Sequence, residues 1–298
     1  MTEIIRYPHH GISVLPVGID QLGECPLWDS REQALYWVDS KGREVKRLVP
    51  ATGEFKRWSV PSDVGSIALA DGKSVVLALE DGFHRLDLAS GEVRLLAEVT
   101  HPASAMRFND GRCDRGGRFL AGSMVVGRAS REAGLYRLDA SGRATLLDGD
   151  IAISNSLCFS PAGDRLYYSD SLAHAVYAYD YDSASGRIGQ RDVLIDTTPF
   201  GSVPDGATVD AQGYLWVALV QAGRVMRFDP AGKPVGEVLF PVTHVSCPCF
   251  GGPDLDILYV TSIRNSGNLV VDDHPYSGSV FAVHGLGVRG LEEGRHAQ

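Results

Sequence analysis

The stretch SNSLCFSPAGDRLYYSDSLAHAVYAYDY (154–181) strings together three short apolar segments, SNSLCF, RLYYSDS and AVYAYDY. Between the first two, SPAGD places Ser, Pro, Gly and Asp where a tight reversal needs them, so those segments read as a hairpin. The third takes apolar and polar residues by turns, which marks a half-buried strand. Elsewhere in the chain RLYYSDS has equivalents in ALYWVDS (34–40), SVVLALE (74–80), RFLAGSM (118–124), YLWVALV (214–220) and ILYVTSI (257–263). AVYAYDY has its own in EVKRLVP, GFHRLDL, GLYRLDA, RVMRFDP and SVFAVHG, and DSREQ, DRGGR and DAQG repeat the turn. More polar segments such as TGEFKRWSV and SGRATLLDG follow as outer strands. A repeat of roughly 40 to 50 residues with four strands per unit is the signature of a β-propeller. Six units lie between about residue 22 and residue 285. The predicted fold is therefore all-β: one six-bladed propeller domain over 1–298, its last ten or so residues a polar tail.

A ring must close, and the sixth unit ends near His284 without an outer strand. The alternating segment ISVLPVGI (12–19) is predicted to supply it and to protect the open edges. A pair of packed sheets would leave six equivalents of one strand unexplained. Helical periodicity is missing throughout, so helices are expected to be absent or very short.

Composition narrows the function classes. No stretch of the 298 residues approaches the roughly 18 consecutive apolar residues of a membrane span. The opening MTEIIRYPHH has no apolar run behind it and does not read as a secretory signal, which makes the cytoplasm the default location. A net charge of −9 without basic clusters argues against nucleic acid as a partner. Five cysteines, Cys25, Cys113, Cys158, Cys247 and Cys249, are odd in number and sparse, as expected of reduced, buried thiols. Cys247 and Cys249 lack the second pair of soft ligands a metal site would need. None of the nine histidines falls at an inner-strand start; His101 and His244 are second-rank candidates for the channel mouth, and His9 and His10 are expected to be solvated.

In a propeller the innermost strand of each blade lines the central channel, so equivalent starts converge on one face. These starts place Glu24, Gly65, Asn109, Asn155, Asp205 and Cys247 in register. Carboxylates held close together cannot all ionise cheaply unless a cation balances them or one keeps its proton. Each acid alone could serve as a turn cap, but capping does not require equivalent places. Glu24, Asn155 and Asp205 are accordingly predicted to hold one divalent cation. Oxygen donors favour Ca²⁺, Mg²⁺ or Mn²⁺, and the identity stays open among Ca, Zn, Mn, Mg and Fe. Three protein ligands would leave positions for water or substrate.

Five motifs in order, GECPLWD (23–29), RFNDGRCDRGGRFLAGSM (107–124), ISNSLCFSPAGDRLYYSDS (153–171), VPDGATVDAQGYLWVAL (203–219) and CFGGPDLDILYVTS (249–262), resemble the gluconolactonase family that includes senescence marker protein, also called regucalcin. The resemblance implies a six-bladed propeller, one divalent metal in the channel mouth and hydrolysis of sugar lactones. It puts Glu24, Asn155 and Asp205 on the family's metal ligands and Arg107 and Asn109 on its substrate contacts. Asp110 falls in the same motif, either with an acid-base or ordering role or as a turn-stabilising Asp before Gly111. Two departures stand out: Ser156 replaces the usual Gly, and Gly127 stands where the animal members carry an acidic substrate contact. The loop from Val125 to Ala133 is expected to cover the mouth.

The expected activity is metal-dependent hydrolysis of an aldonolactone in carbohydrate catabolism, with a small sugar lactone as partner and a monomer or weak homodimer as the assembly. The metal would polarise the lactone carbonyl while Asp205 orients or deprotonates the attacking water. G-x-S-x-G and H-E-x-x-H are both absent, so serine and zinc-peptidase chemistry find no support. Two alternatives remain at this stage, an organophosphate- or fluoride-hydrolysing propeller and a non-enzymatic calcium-binding propeller.

Overall fold

The computed structural model describes residues 5–7, 11–128, 130–267 and 269–297, so the expectation for His9 and His10 lies outside the described residues. Six antiparallel sheets follow one another along the chain. Their inner strands are Gly23–Asp29, Ser66–Leu69, Met106–Cys113, Ser154–Phe159, Pro204–Val209 and Val245–Gly251. Each packs against the inner strand of the next blade, and the sixth packs against the first. The only helical pieces among the described residues are the 3-10 turns Ser171–Ala173 and Thr198–Phe200. None of the described helices is long and apolar enough to cross a membrane.

The core is divided into six wedges, one between each pair of neighbouring blades. The second strand of the first blade, Ala34–Asp39, shows how. Tyr36 and Val38 point into the wedge shared with the second blade, beside Ile67 and Leu77. Leu35 and Trp37 point the other way, beside Cys249 and Tyr259 of the sixth blade. Successive side chains leave a strand on opposite faces. A strand buried on both faces therefore reads as the continuous apolar run that made the repeat visible. Outer strands bury little, and Glu54–Ser59 is exposed at every position but Trp58. The inner strands also approach one another closely: a Cβ at Gly65 would strike the backbone of Phe108 and Asn109. The second blade can thus offer no side chain at the place where its neighbours offer Glu24 or Asn109.

The ring closes through the N-terminus. Gly11–Val14 pairs antiparallel with Phe281–His284 and completes the sixth blade. The paired segment is shorter than the anticipated 12–19. After Leu15 donates to Val280 at 2.9 Å, Pro16 has no N–H to offer and Val17 turns back onto Leu15 at 2.9 Å, its side chain entering the wedge between blades six and one. Ahead of this strand, Ile5–Arg6 adds a parallel fifth strand outside the fifth blade.

At the opposite end of the channel the polar C-terminal residues run along the hairpins that join first and second strands. Arg289 O accepts from Ala211, Gly290 N donates to Leu255, His296 N to Leu69 and Ala297 N to Gly117, all at 2.7–2.8 Å. Arg115 reaches Glu292 O at 2.7 Å, and Arg295 pairs with Asp29. All five cysteines are buried and free, and burial pushes the Cys25 thiol up to about 12.

Candidate metal centre

The site begins with a local irregularity shared by several inner strands. Pairing with the second strand slips between Glu24 and Leu27, between Asn155 and Cys158, and between Pro204 and Ala207. A bulge bends the strand and re-aims the side chain beside it. Cys25 and Ser156, each following a predicted ligand, take left-handed φ of 46° and 57°. The same Asp-Ser dipeptide ends the second strand in these two blades. Asp39 accepts from the backbone N–H of Gln21 and Leu22 at 3.0 and 3.1 Å, and Asp170 from Ala152 and Ile153 at 3.1 and 3.2 Å. Each carboxylate holds the loop that delivers the ligand two to three residues later.

Four of the predicted site residues converge through one line of hydrogen bonds and its surroundings. Arg107 Nη1 donates to Asn109 Oδ1 at 2.8 Å and to its neighbour Phe108 O at 2.8 Å. Asn109 Nδ2 donates to Asn155 Oδ1 at 2.9 Å and to Ser154 O at 2.8 Å. Asn155 Nδ2 then donates to Ser171 Oγ at 2.9 Å, and that hydroxyl donates to Pro204 O at 2.7 Å, the residue before Asp205. Ser156 Oγ donates to the Asp205 carbonyl. Glu24 is joined to the group by charge, through Asp205, Asp110 and Arg107.

Burial dominates the electrostatics, since Glu24, Arg107, Asn109, Asp110, Asn155 and Asp205 are each between 3% and 8% exposed. It raises Glu24 and Asp205 well above the usual carboxylate range; for Glu24 the Asp205 and Asp110 charges raise it further, and Arg107 opposes. Asp110 is lifted by burial to about 6, against the pull of Arg112. Its two oxygens accept from Gly111 N and Leu157 N, both at 2.8 Å, so the carboxylate spans the seam between the third and fourth blades.

This donor set fits a hard divalent cation. Two buried carboxylates raise one another's cost of ionisation, and a cation between them would remove it. Asn155 Oδ1 accepts one hydrogen bond and retains a second lone pair. No three His, Cys, Asp or Glu side chains gather as a metal cluster among the described residues, so the third donor would be the Asn155 amide. The histidines are engaged elsewhere: His101 contacts Glu80 O at 3.0 Å against Phe108 and Tyr136, and His244 contacts Asp272 at 2.8 Å.

Sequence reasoning passed over Ser171, Asp39 and Asp170, because a polar pair ending a strand reads as the start of a turn. The signal was there in the Asp-Ser that ALYWVDS and RLYYSDS share. The loop after Val125 is tied to this machinery, with Arg131 bonded to Asp150 at 2.7 Å and to Asp170 at 3.1 Å. In that loop, none of the described residues beyond its chain neighbours lies within 4 Å of where a side chain on Gly127 would begin.

Residues 22–264 match the family model described as SMP-30/Gluconolactonase/LRE-like region. The chain is 39% identical to a 6-deoxy-6-sulfogluconolactonase of Pseudomonas putida over 88% of this chain and 90% of that protein. Regucalcin of Gallus gallus is 37% identical over 92% of this chain and 95% of its own length. The crystal structure of a calcium-binding protein, regucalcin, from Agrobacterium tumefaciens superposes with a TM-score of 0.91 at 29% identity, covering 100% of both chains.

Proposed function

The chain belongs to the SMP-30/Gluconolactonase/LRE-like family, and from that premise we propose that it is a sugar lactonase that works with one divalent cation in carbohydrate catabolism. The observation that carries this reading is a pair of buried carboxylates, Glu24 and Asp205, both held well above the usual range by burial, with the Asp205 charge raising Glu24 further, beside an oriented amide oxygen from Asn155. Those three residues would hold the cation, which when bound would supply Lewis-acid polarisation of the lactone carbonyl.

The protein's own groups supply the rest. Asp205, buried at the same place, would keep one carboxylate oxygen free of the cation, which suits it to orient the attacking water and accept its proton. Arg107 uses Nη1 to hold Asn109, while its Nε and Nη2 make no hydrogen bond among the described residues and can donate to the ring or carbonyl oxygens of a lactone. Asn109 directs both amide hydrogens toward Ser154 and Asn155, which suits it to order the site, and its Oδ1 keeps one lone pair beyond the Arg107 bond that can accept from a sugar hydroxyl. Asp110, with both oxygens on backbone amides, is suited to ordering the strands rather than to proton transfer. Open space at Gly127 supports a substrate different in bulk or charge from one met there by an acidic side chain.

The test is hydrolysis of a panel of aldonolactones by metal-stripped protein, then with single metals restored, for the wild type and Asp205→Ala. Activity should vanish on stripping, return with a divalent cation and stay absent in the variant. Rates indifferent to both changes would remove the proposal. Cation binding without hydrolysis of any lactone would favour a calcium-binding role.

A further inference from the structure

An amide can sit among its hydrogen-bond partners two ways round, and here the two ends of the hydrogen-bonded line decide which. Arg107 can only donate, so its contact fixes Asn109 Oδ1 as acceptor and turns Nδ2 toward Asn155. At the other end the Pro204 carbonyl can only accept, so Ser171 gives it the hydroxyl proton and faces Asn155 with a lone pair. Asn155 must then present Nδ2 to Ser171 and leave Oδ1 toward Asn109 and the channel.

We propose that Ser171 is a positioning residue of the cation site, its hydroxyl anchoring the Nδ2 end of the Asn155 amide while Asn109 holds the Oδ1 end, so that Oδ1 stays toward the channel. This rests on the cation-site reading above. The molecule contains its own comparison. Ser40 follows Asp39 as Ser171 follows Asp170; its backbone N–H bonds Leu22 O at 2.8 Å as that of Ser171 bonds Ile153 O at 3.0 Å. Yet the buried Ser40 hydroxyl has no partner among the described residues. The fold therefore does not need a bonded hydroxyl at this place. The difference lies in the neighbouring ligand: a carboxylate such as Glu24 offers an acceptor at either end, whereas an amide has a wrong way round. A reversed Asn155 would point N–H groups at the cation.

Calorimetric titration of Mn²⁺ and Ca²⁺ into the metal-stripped full chain tests this. Ser171→Ala is expected to weaken binding by about 10- to 100-fold, the range typical of losing a partner that orients a ligand. Ser171→Cys, which keeps the volume but offers a weak donor and acceptor, should do the same, and it serves if the alanine variant does not fold. Ser40→Ala should keep wild-type affinity. In an Asn155→Asp background, where no wrong orientation exists, losing the Ser171 hydroxyl should cost less than about 3-fold, a non-additivity expected of directly coupled residues. Wild-type affinity in a folded Ser171 variant, or an undiminished loss in the Asn155→Asp background, overturns the proposal alone. Failure of the wild type to bind either cation overturns the cation-site reading and this proposal with it.

Discussion

Arg112 Nη1 meets Glu293 Oε1 at 3.1 Å at the base of the channel. The same guanidinium donates to Pro26 O and Ala207 O, each at 3.2 Å. One buried cation thus ties the inner strands of blades one, three and five to the C-terminal segment. Removing one partner of a buried pair leaves the other charge uncompensated, at a cost of about 3–5 kcal/mol. The two carbonyls that remain soften this, so Glu293→Ala is predicted to lose about 2–4 kcal/mol, read from urea unfolding. A loss below about 0.5 kcal/mol would mean that the carbonyls alone satisfy Arg112.

Arg107 carries a different burden. Its fork holds Phe108 O and Asn109 Oδ1 with one nitrogen and leaves Nε and Nη2 without a bond among the described residues. Lysine keeps the charge but not the planar fork. Arg107→Lys is expected to lower kcat/KM for the best lactone by about 30- to 150-fold, mainly through KM, as two lost hydrogen bonds of about 1–1.5 kcal/mol each would produce. Initial rates over a substrate range settle it, and an unchanged KM would place Arg107 outside the substrate contact.

Asp110 sets a pH dependence whose sign is opposite to that of a salt-bridged acid. Burial lifts it from 3.8 to about 6, so between those values the native chain keeps a proton that the unfolded chain has released. Stability from this group is complete below about pH 4 and is lost as pH rises through 6. The shift of about two units corresponds to roughly 3 kcal/mol. Between pH 4.5 and pH 7 the urea midpoint of metal-stripped Asp110→Asn should therefore gain on that of the metal-stripped wild type. A variant midpoint that loses ground over that range would contradict the assignment.

What the sequence made legible follows from which contacts leave a pattern. Inter-blade wedges need apolar residues on both faces of the second strand, so ALYWVD and RLYYSD announced the ring. Inner-strand starts are fixed by that same register, which is why Glu24, Asn155 and Asp205 could be named together. The C-terminal segment gave no such signal: it is held by single backbone hydrogen bonds and ion pairs such as Arg295 with Asp29, which have no periodicity. Ile5–Arg6 is too short to show alternation. Ser171 was hidden for another reason, since its part depends on the Pro204 carbonyl 33 residues away.

At Ser156 strain and bonding act in opposite directions. Its φ of 57° is a conformation glycine adopts freely and other residues adopt at about 1–2 kcal/mol. In return its hydroxyl donates to the Asp205 carbonyl and accepts from Ser169 at 3.0 Å, joining the strand that bears Asn155 to the one that bears Asp205. Ser156→Ala keeps the strain and loses both bonds, and it is predicted to lose about 2 kcal/mol, from the unpaired Asp205 carbonyl and Ser169 hydroxyl. Ser156→Gly loses the same bonds but sheds the strain, partly offset by glycine's larger unfolded-state entropy. The order of stability by urea unfolding should be serine, then glycine, then alanine. Alanine equal to glycine would show that strain in the left-handed turn after Asn155 does not exceed glycine's entropic cost, and alanine equal to serine that the bond to Asp205 contributes nothing to holding the two strands together.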